Sequence, residues 1–156
     1  MSDGNLDVMD TLAGIADGSP LAGLRRQRPD VVKHLQGGDD AIFAPAYYGG
    51  LTRPEREAGA LRVATLLRDS VLEEHYHRRL VALGETHPLN GGRGECILAH
   101  IDRVTMDPAD AAKADIDALL AAGLSAHAVV SLSQLVAYVN FQSRVLAGLR
   151  MLKGAA

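Results

Sequence analysis

One cysteine, Cys96, is all the thiol chemistry in this 156-residue sequence. A lone thiol closes no disulfide within the chain and cannot run two-cysteine redox chemistry inside one subunit, which fits a reducing, cytoplasmic setting. An excess of positive charge is missing as well. Sixteen lysines and arginines stand against 19 aspartates and glutamates, and the net charge of −3 exerts no long-range pull on nucleic acid. Long apolar runs are also lacking. None approaches the roughly 18–20 residues that cross a bilayer, and the opening MSDGNLDVMD has neither the basic nor the apolar segment of a secretory signal. No nucleic-acid or membrane partner is expected.

What is present is the balance of a globular protein, 47% hydrophobic and 22% charged. The length suits one domain over 1–156, with N-terminal helices and a loop in 1–50, a core hairpin in 51–84 and C-terminal helices in 94–152. Apolar residues recur at helical rather than strand spacing, which predicts the all-α class. Leu6, Met9 and Leu12 mark a first short helix closed by Asp17-Gly18-Ser19-Pro20, and Leu21 to Arg26 and Pro29 to Leu35 follow before a linker at Gly37-Gly38-Asp39-Asp40. A turn-rich loop, Ala44 to Gly50, leads to Thr52, whose hydroxyl can cap a helix while Glu55 reaches back three residues. That helix is predicted to run to about Arg68 and a second from about Val71 to Leu83, packed as an antiparallel hairpin. Further helices fall over Glu95 to Val104, Ala112 to Ala122 and Ser125 to about Leu149. The last is apolar nearly all round, apart from a strip at Ser133, Asn140 and Arg144, so it runs through the core or is covered by a second subunit.

Polar residues set among apolar ones are the candidates for chemistry. At about 100° per residue, Glu57 falls inside the stripe of Ala60, Leu61, Ala64 and Leu67. An unpaired buried carboxylate costs several kcal/mol, so Glu57 must be protonated, hydrogen-bonded or matched with a cation. On the following helix the stripe is Leu72, Tyr76, Leu80 and Leu83, and His75 and His77 leave it on opposite flanks. Only one of them can face Glu57. Each residue also has a structural reading. Glu57 suits a helix N-terminus and has Arg53 one turn away, and the two histidines stand in a run with Glu73, Glu74, Arg78 and Arg79 that reads equally well as a solvated face. His100 reads as a core histidine, and His34, His87 and His127 form no ligand-like group with it, so no metal site is expected.

Two stretches resemble the carboxymuconolactone decarboxylase and alkylhydroperoxidase D-like superfamily. LTRPEREAGALRVATLLRDSVLEEHYHRRL, residues 51 to 80, looks like its core hairpin, with a glutamate on a capped helix and a histidine on the next. LLAAGLSAHAVVSLSQLVAYVNFQSRVLAGL, residues 119 to 149, is similar to the C-terminal stretch of the peroxidase-related branch. In that branch the glutamate is followed, one helix further on, by Cys-x-x-Cys and then a histidine. Counting from Glu57 puts Asp69 and Leu72 in the two cysteine positions, so both thiols are missing, and Cys96 lies beyond a long loop.

The decarboxylase branch works without a cysteine pair, through acid and base groups. The resemblance therefore implies a cysteine-independent acid/base site: Glu57 with His75 or His77, Asp69 as a third polar group, and Arg68 or Arg144 orienting a small organic acid or carbonyl compound, with no cofactor. Members of the superfamily usually form homo-oligomers, which makes a non-catalytic assembly member the second expectation. A peroxidase-type protein pairing Cys96 with a partner's thiol is the third.

Overall fold

Thr52 starts the helix on which the rest of the molecule is built. Its hydroxyl accepts from the Glu55 amide (3.3 Å) while the Glu55 carboxylate accepts from the Thr52 amide (2.8 Å), closing the capping box that the sequence predicts. A cap of this kind stabilises a helix by about 1 kcal/mol. In this computed structural model, which describes residues 7–154, that helix is α4 (Arg53–Leu67). Before it come α1 (Val8–Ala13), α2 (Pro20–Arg26), α3 (Pro29–Phe43) and a two-stranded ribbon, β1 (Tyr47–Tyr48) and β2 (Leu51–Thr52). After it come α5 (Ser70–Ala82), α6 (Gly91–Met106), a single 3₁₀ turn at Pro108–Asp110, α7 (Lys113–Ala121) and α8 (Ala126–Gly154). The all-α class is borne out. Leu6, which the sequence pattern places in the first helix, lies outside the described residues.

Small side chains explain why α4 sits at the centre. Its buried Gly59, Ala60, Val63 and Ala64 let α5, α6 and α8 approach closely; a Cβ at Gly59 would come within 3.2 Å of Ile101 Cδ1 on α6. The chain then reverses at Arg68, whose φ of 55° is left-handed, and Asp69 caps α5 by accepting from the Leu72 amide at 3.3 Å. As its pattern predicts, α5 buries Leu72, Tyr76 and Leu80. Helix α8 runs through the core along Leu132, Leu135, Val136, Val139 and Leu146. Burial of each such side chain stabilises the fold by about 1.5–3 kcal/mol, so this face fixes the helix in place. Its other side reaches the surface at Val130, Ala137 and Phe141. Within one chain, α8 is thus buried along one face.

The predicted linker at Gly37-Gly38-Asp39-Asp40 is instead the interior of α3. A glycine inside a helix costs up to about 1 kcal/mol relative to alanine. Here it admits a close contact: Gly38 lies against the Tyr138 ring of α8, where a Cβ would stand 2.9 Å from Cε2, and the Tyr138 hydroxyl donates to the Leu35 carbonyl at 3.2 Å. Continuing the helix buries Asp39. Helix α6 likewise starts at Gly91, before the predicted Glu95. Gly49 and Gly50, with φ of 60° and 101°, form the two-residue turn of the ribbon, which pairs Tyr48 with Leu51. No helix among the described residues is long and apolar enough to cross a membrane.

Candidate active site

The second turn of α4 projects Glu57 inward, and its side chain is 0% exposed. Its partner comes from α5 and is an arginine, not a histidine. Arg79 donates from Nε (3.0 Å) and stands with Nη2 at 2.9 Å, both on Glu57 Oε1. The remaining guanidinium nitrogen, Nη1, donates to both carboxylate oxygens of Asp39 on α3 at 3.2 Å. One guanidinium therefore joins α3, α4 and α5. The plane has a second use, since Arg79 lies 4.3 Å from the Phe43 ring centroid, a cation–π contact of short reach. Arg53, one turn before Glu57, adds a second cation at 3.7 Å. An imidazole offers at most two N–H donors, whereas the planar five-donor fork of arginine reaches both carboxylates at once.

His75 enters this cluster through Arg79. Its Nε2 lies 3.3 Å from Arg79 Nη1, and its ring stands edge-on to Tyr76 with centroids 4.9 Å apart. Burial, followed by the charges of Arg79 and Arg78, lowers the His75 pKa to about 4, so the ring is neutral at pH 7. Burial also raises the carboxyl pKa of Glu57 and of Asp39, against the pull of Arg79. Tyr76 lies beneath the cluster with its hydroxyl on Gln142 Oε1 at 2.5 Å, and Gln142 donates in turn to Tyr138 at 3.1 Å. Arg56, buried beside Glu57 in sequence, donates to the carbonyls of Ile42, Pro45 and Thr52 and so ties α3 and the ribbon to α4.

His75, Arg78 and Arg79 line a groove of about 370 Å³ between α5 and α1, closed on the α1 side by Thr11 and Leu12. The other predicted site residues lie elsewhere. His77 is exposed and faces a different groove, with Leu61, Ser70, Glu73 and Glu74. Arg68 is exposed at the far end of α4, about 16 Å along the helix from Glu57 at 1.5 Å per residue. Asp69, at that same end, is buried and held by Arg150 (3.0 Å) and Ser143 (3.1 Å) of α8. Arg144 is exposed and donates to the carbonyl of Asn140. Of the predicted set, Glu57 and His75 are brought together, and His77, Asp69, Arg68 and Arg144 are not. Arg79 and Asp39 are site members that the sequence pattern did not single out. The signal for Arg79 was its place three residues after Tyr76 and next to Leu80, on the edge of the buried stripe.

Outside the cluster, His100 is buried with Nε2 3.1 Å from Ser133 Oγ, and Cys96 is half-buried on α6. Among the described residues no three histidines, cysteines or carboxylates are grouped as metal ligands.

This arrangement of helices is found in a solved structure, that of an uncharacterized peroxidase-related protein from Silicibacter sp. TM1040. The two align with a TM-score of 0.69 over 78% of this chain and 69% of the other, at 15% sequence identity. No protein-family model and no curated protein matches the chain. At that identity the likeness shows a fold shared with that peroxidase-related protein, and nothing of activity.

Proposed function

We propose that this protein handles a small organic acid or carbonyl compound in the groove between α1 and α5, by acid/base chemistry that needs no cysteine pair. One observation carries the reading: the fully buried Glu57 is bound to the same Arg79 that contacts His75 at the groove wall. A buried carboxylate, a cation and a neutral imidazole in one connected group are suited to proton chemistry, because their environments move the ordinary protonation ranges apart. Glu57 has no hydrogen-bond partner for Oε2 among the described residues, which leaves that oxygen able to take a proton. Arg78, on the groove wall, supplies positive charge for a substrate carboxylate. Asp69 occupies a position where a thiol stands in the peroxidase branch, and it is already engaged by Arg150, Ser143 and the start of α5.

The test is a turnover screen of small carboxylates, lactones and ketones with the native protein, Glu57→Gln and His75→Phe, each checked for helical content. A substrate whose turnover falls at least about tenfold in both variants is expected, a loss of about 1.4 kcal/mol or more in transition-state stabilisation. Unchanged turnover in Glu57→Gln would remove Glu57 from the reaction, and a screen without any turnover would leave only the second reading.

That second reading, a non-catalytic member that acts by assembling, rests on the outward face of α8. Val130 and Phe141 are 54% and 46% exposed there, with Ala137 between them. Large apolar side chains in a row on one helix are the kind of surface that self-association covers. A homo-oligomer that dissociates on Phe141→Glu substitution, measured by light scattering, is the outcome this reading requires.

A further inference from the structure

His75 lines the groove and meets Arg79 with Nε2, and the chemistry of arginine decides which ring nitrogen carries the proton. A guanidinium has five N–H donors and no acceptor. The 3.3 Å contact between Arg79 Nη1 and His75 Nε2 is therefore a hydrogen bond only if Nε2 presents its lone pair. A neutral imidazole with its lone pair on Nε2 carries its hydrogen on Nδ1. That second nitrogen has no hydrogen-bond partner among the described residues and is not sealed from solvent. It belongs to a side chain on the groove wall, where the flanking charged groups are Arg78 and Arg79 of α5, while α1 contributes Thr11 and Leu12. Among the described residues no acidic side chain lines this groove.

We propose that His75 is a fixed hydrogen-bond donor rather than a base: its Nδ1–H binds an acceptor oxygen of the groove ligand, a carbonyl or carboxylate, with Arg78 supplying the charge. This rests on the groove reading above and assigns the atom and the direction of the hydrogen bond within it. A proton on Nε2 as well would set an imidazolium N–H against the Arg79 guanidinium, so the ring stays neutral, in agreement with its lowered pKa. The positive groups beside it, Arg78 and Arg79, act in that direction, and the carboxylates of Glu57 and Asp39 are reached only through Arg79. A neutral imidazole held in this way polarises a carbonyl without giving up its proton. The ligand class follows: compounds offering an oxygen lone pair to the Nδ1–H are favoured over those that offer none.

Long-range ¹H–¹⁵N spectra of the labelled full chain at pH 7, recorded with and without pyruvate, benzoate or acetone, test this directly. The expected result is an Nδ1–H tautomer for His75 in the free protein, whose Nδ1 signal moves on addition of at least one probe and does not move with ethylammonium. His75→Asn, whose side-chain amide can place an N–H near the Nδ1 position, is expected to keep probe affinity within about threefold, while His75→Phe loses at least tenfold. An Nε2–H tautomer, or an imidazolium at pH 7, would overturn the proposal whatever binds. Shifts confined to the groove amides of Leu12, Val71 and Ala82, with His75 unmoved, would overturn it while the groove reading stands. No shift at any groove residue with any probe would remove both.

Discussion

Arg79 of α5 and Glu57 of α4 meet through two guanidinium nitrogens on one carboxylate oxygen, at 3.0 and 2.9 Å, and the second carboxylate on that guanidinium belongs to α3. Removing this cation leaves Asp39 without its ion pair and Glu57 with only the more distant Arg53, and breaking a buried pair in this way costs about 3–5 kcal/mol. Arg79→Met is therefore expected to lower the urea unfolding free energy by that amount. The triple variant Arg79→Met, Glu57→Gln, Asp39→Asn should recover more than half of the loss. Equal instability of the single and triple variants would show that packing on Phe43, not charge, is what Arg79 contributes.

The lowered pKa of His75 carries a pH signature. The unfolded chain binds a proton at this histidine near its ordinary value of 6.5, and the folded chain only near 4. Between those values the unfolded state holds more protons, so stability falls as pH drops from about 6.5 toward 4. Glu57 and Asp39, whose carboxyl pKa values are raised by burial, contribute in the opposite direction, favouring the folded state as they take up protons. Comparing native protein with His75→Phe isolates the histidine. The difference in unfolding midpoint between the two should change across pH 4 to 6.5 and level off above it, and a flat difference throughout would contradict the neutral, buried ring.

Arg68 adopts a left-handed backbone with φ of 55° while its side chain stays exposed. A non-glycine residue gives up about 1 kcal/mol or more in that region, and glycine gives up little. Arg68→Gly is expected to stabilise the fold by roughly 0.5–1 kcal/mol, read as a rise of a few degrees in the thermal midpoint. A fall would mean that the arginine makes a contact outweighing its strain.

Two glycines at the start of α6 separate space from propensity. A Cβ at Gly94 would overlap the backbone of Leu89, while one at Gly92 meets nothing within 4 Å. Gly94→Ala should cost about 1–3 kcal/mol as overpacking, and Gly92→Ala should gain about 0.5–1 kcal/mol from helix propensity. Both are measurable by denaturant melts. Similar effects at the two positions would show that α6 does not lie on Leu89 as described.

These contacts also show which parts of the molecule a sequence expresses locally. The hairpin of α4 and α5 was legible because its signals are short-range: Thr52 with Glu55, the stripe of Leu72, Tyr76 and Leu80, and an acidic residue, Glu57, set among apolar ones. Asp39 was not, because glycine and aspartate together signal a break, and only the face of Tyr138, about a hundred residues further along the chain, makes Gly38 an asset within a helix. Arg79 was hidden by its neighbours, since Glu74 and Arg78 do form the exposed pair that such a run suggests while Arg79 turns inward. His75 and His77 were symmetric in sequence, and the placement of α1 beside α5 makes them different.

The acidic, basic and imidazole members of the cluster, Asp39, Arg53, Glu57, His75 and Arg79, all fall in one unbroken stretch of chain, whereas α8 meets the cluster through Tyr138 and Gln142, which carry no charge. The stretch from Asp39 to Arg79 thus holds the acids, bases and imidazole of the cluster, and the later part of the chain supplies uncharged cover. The two parts can drift at different speeds: the cover tolerates exchange of one nonpolar or amide side chain for another of like volume, while the earlier stretch must change several positions together or not at all.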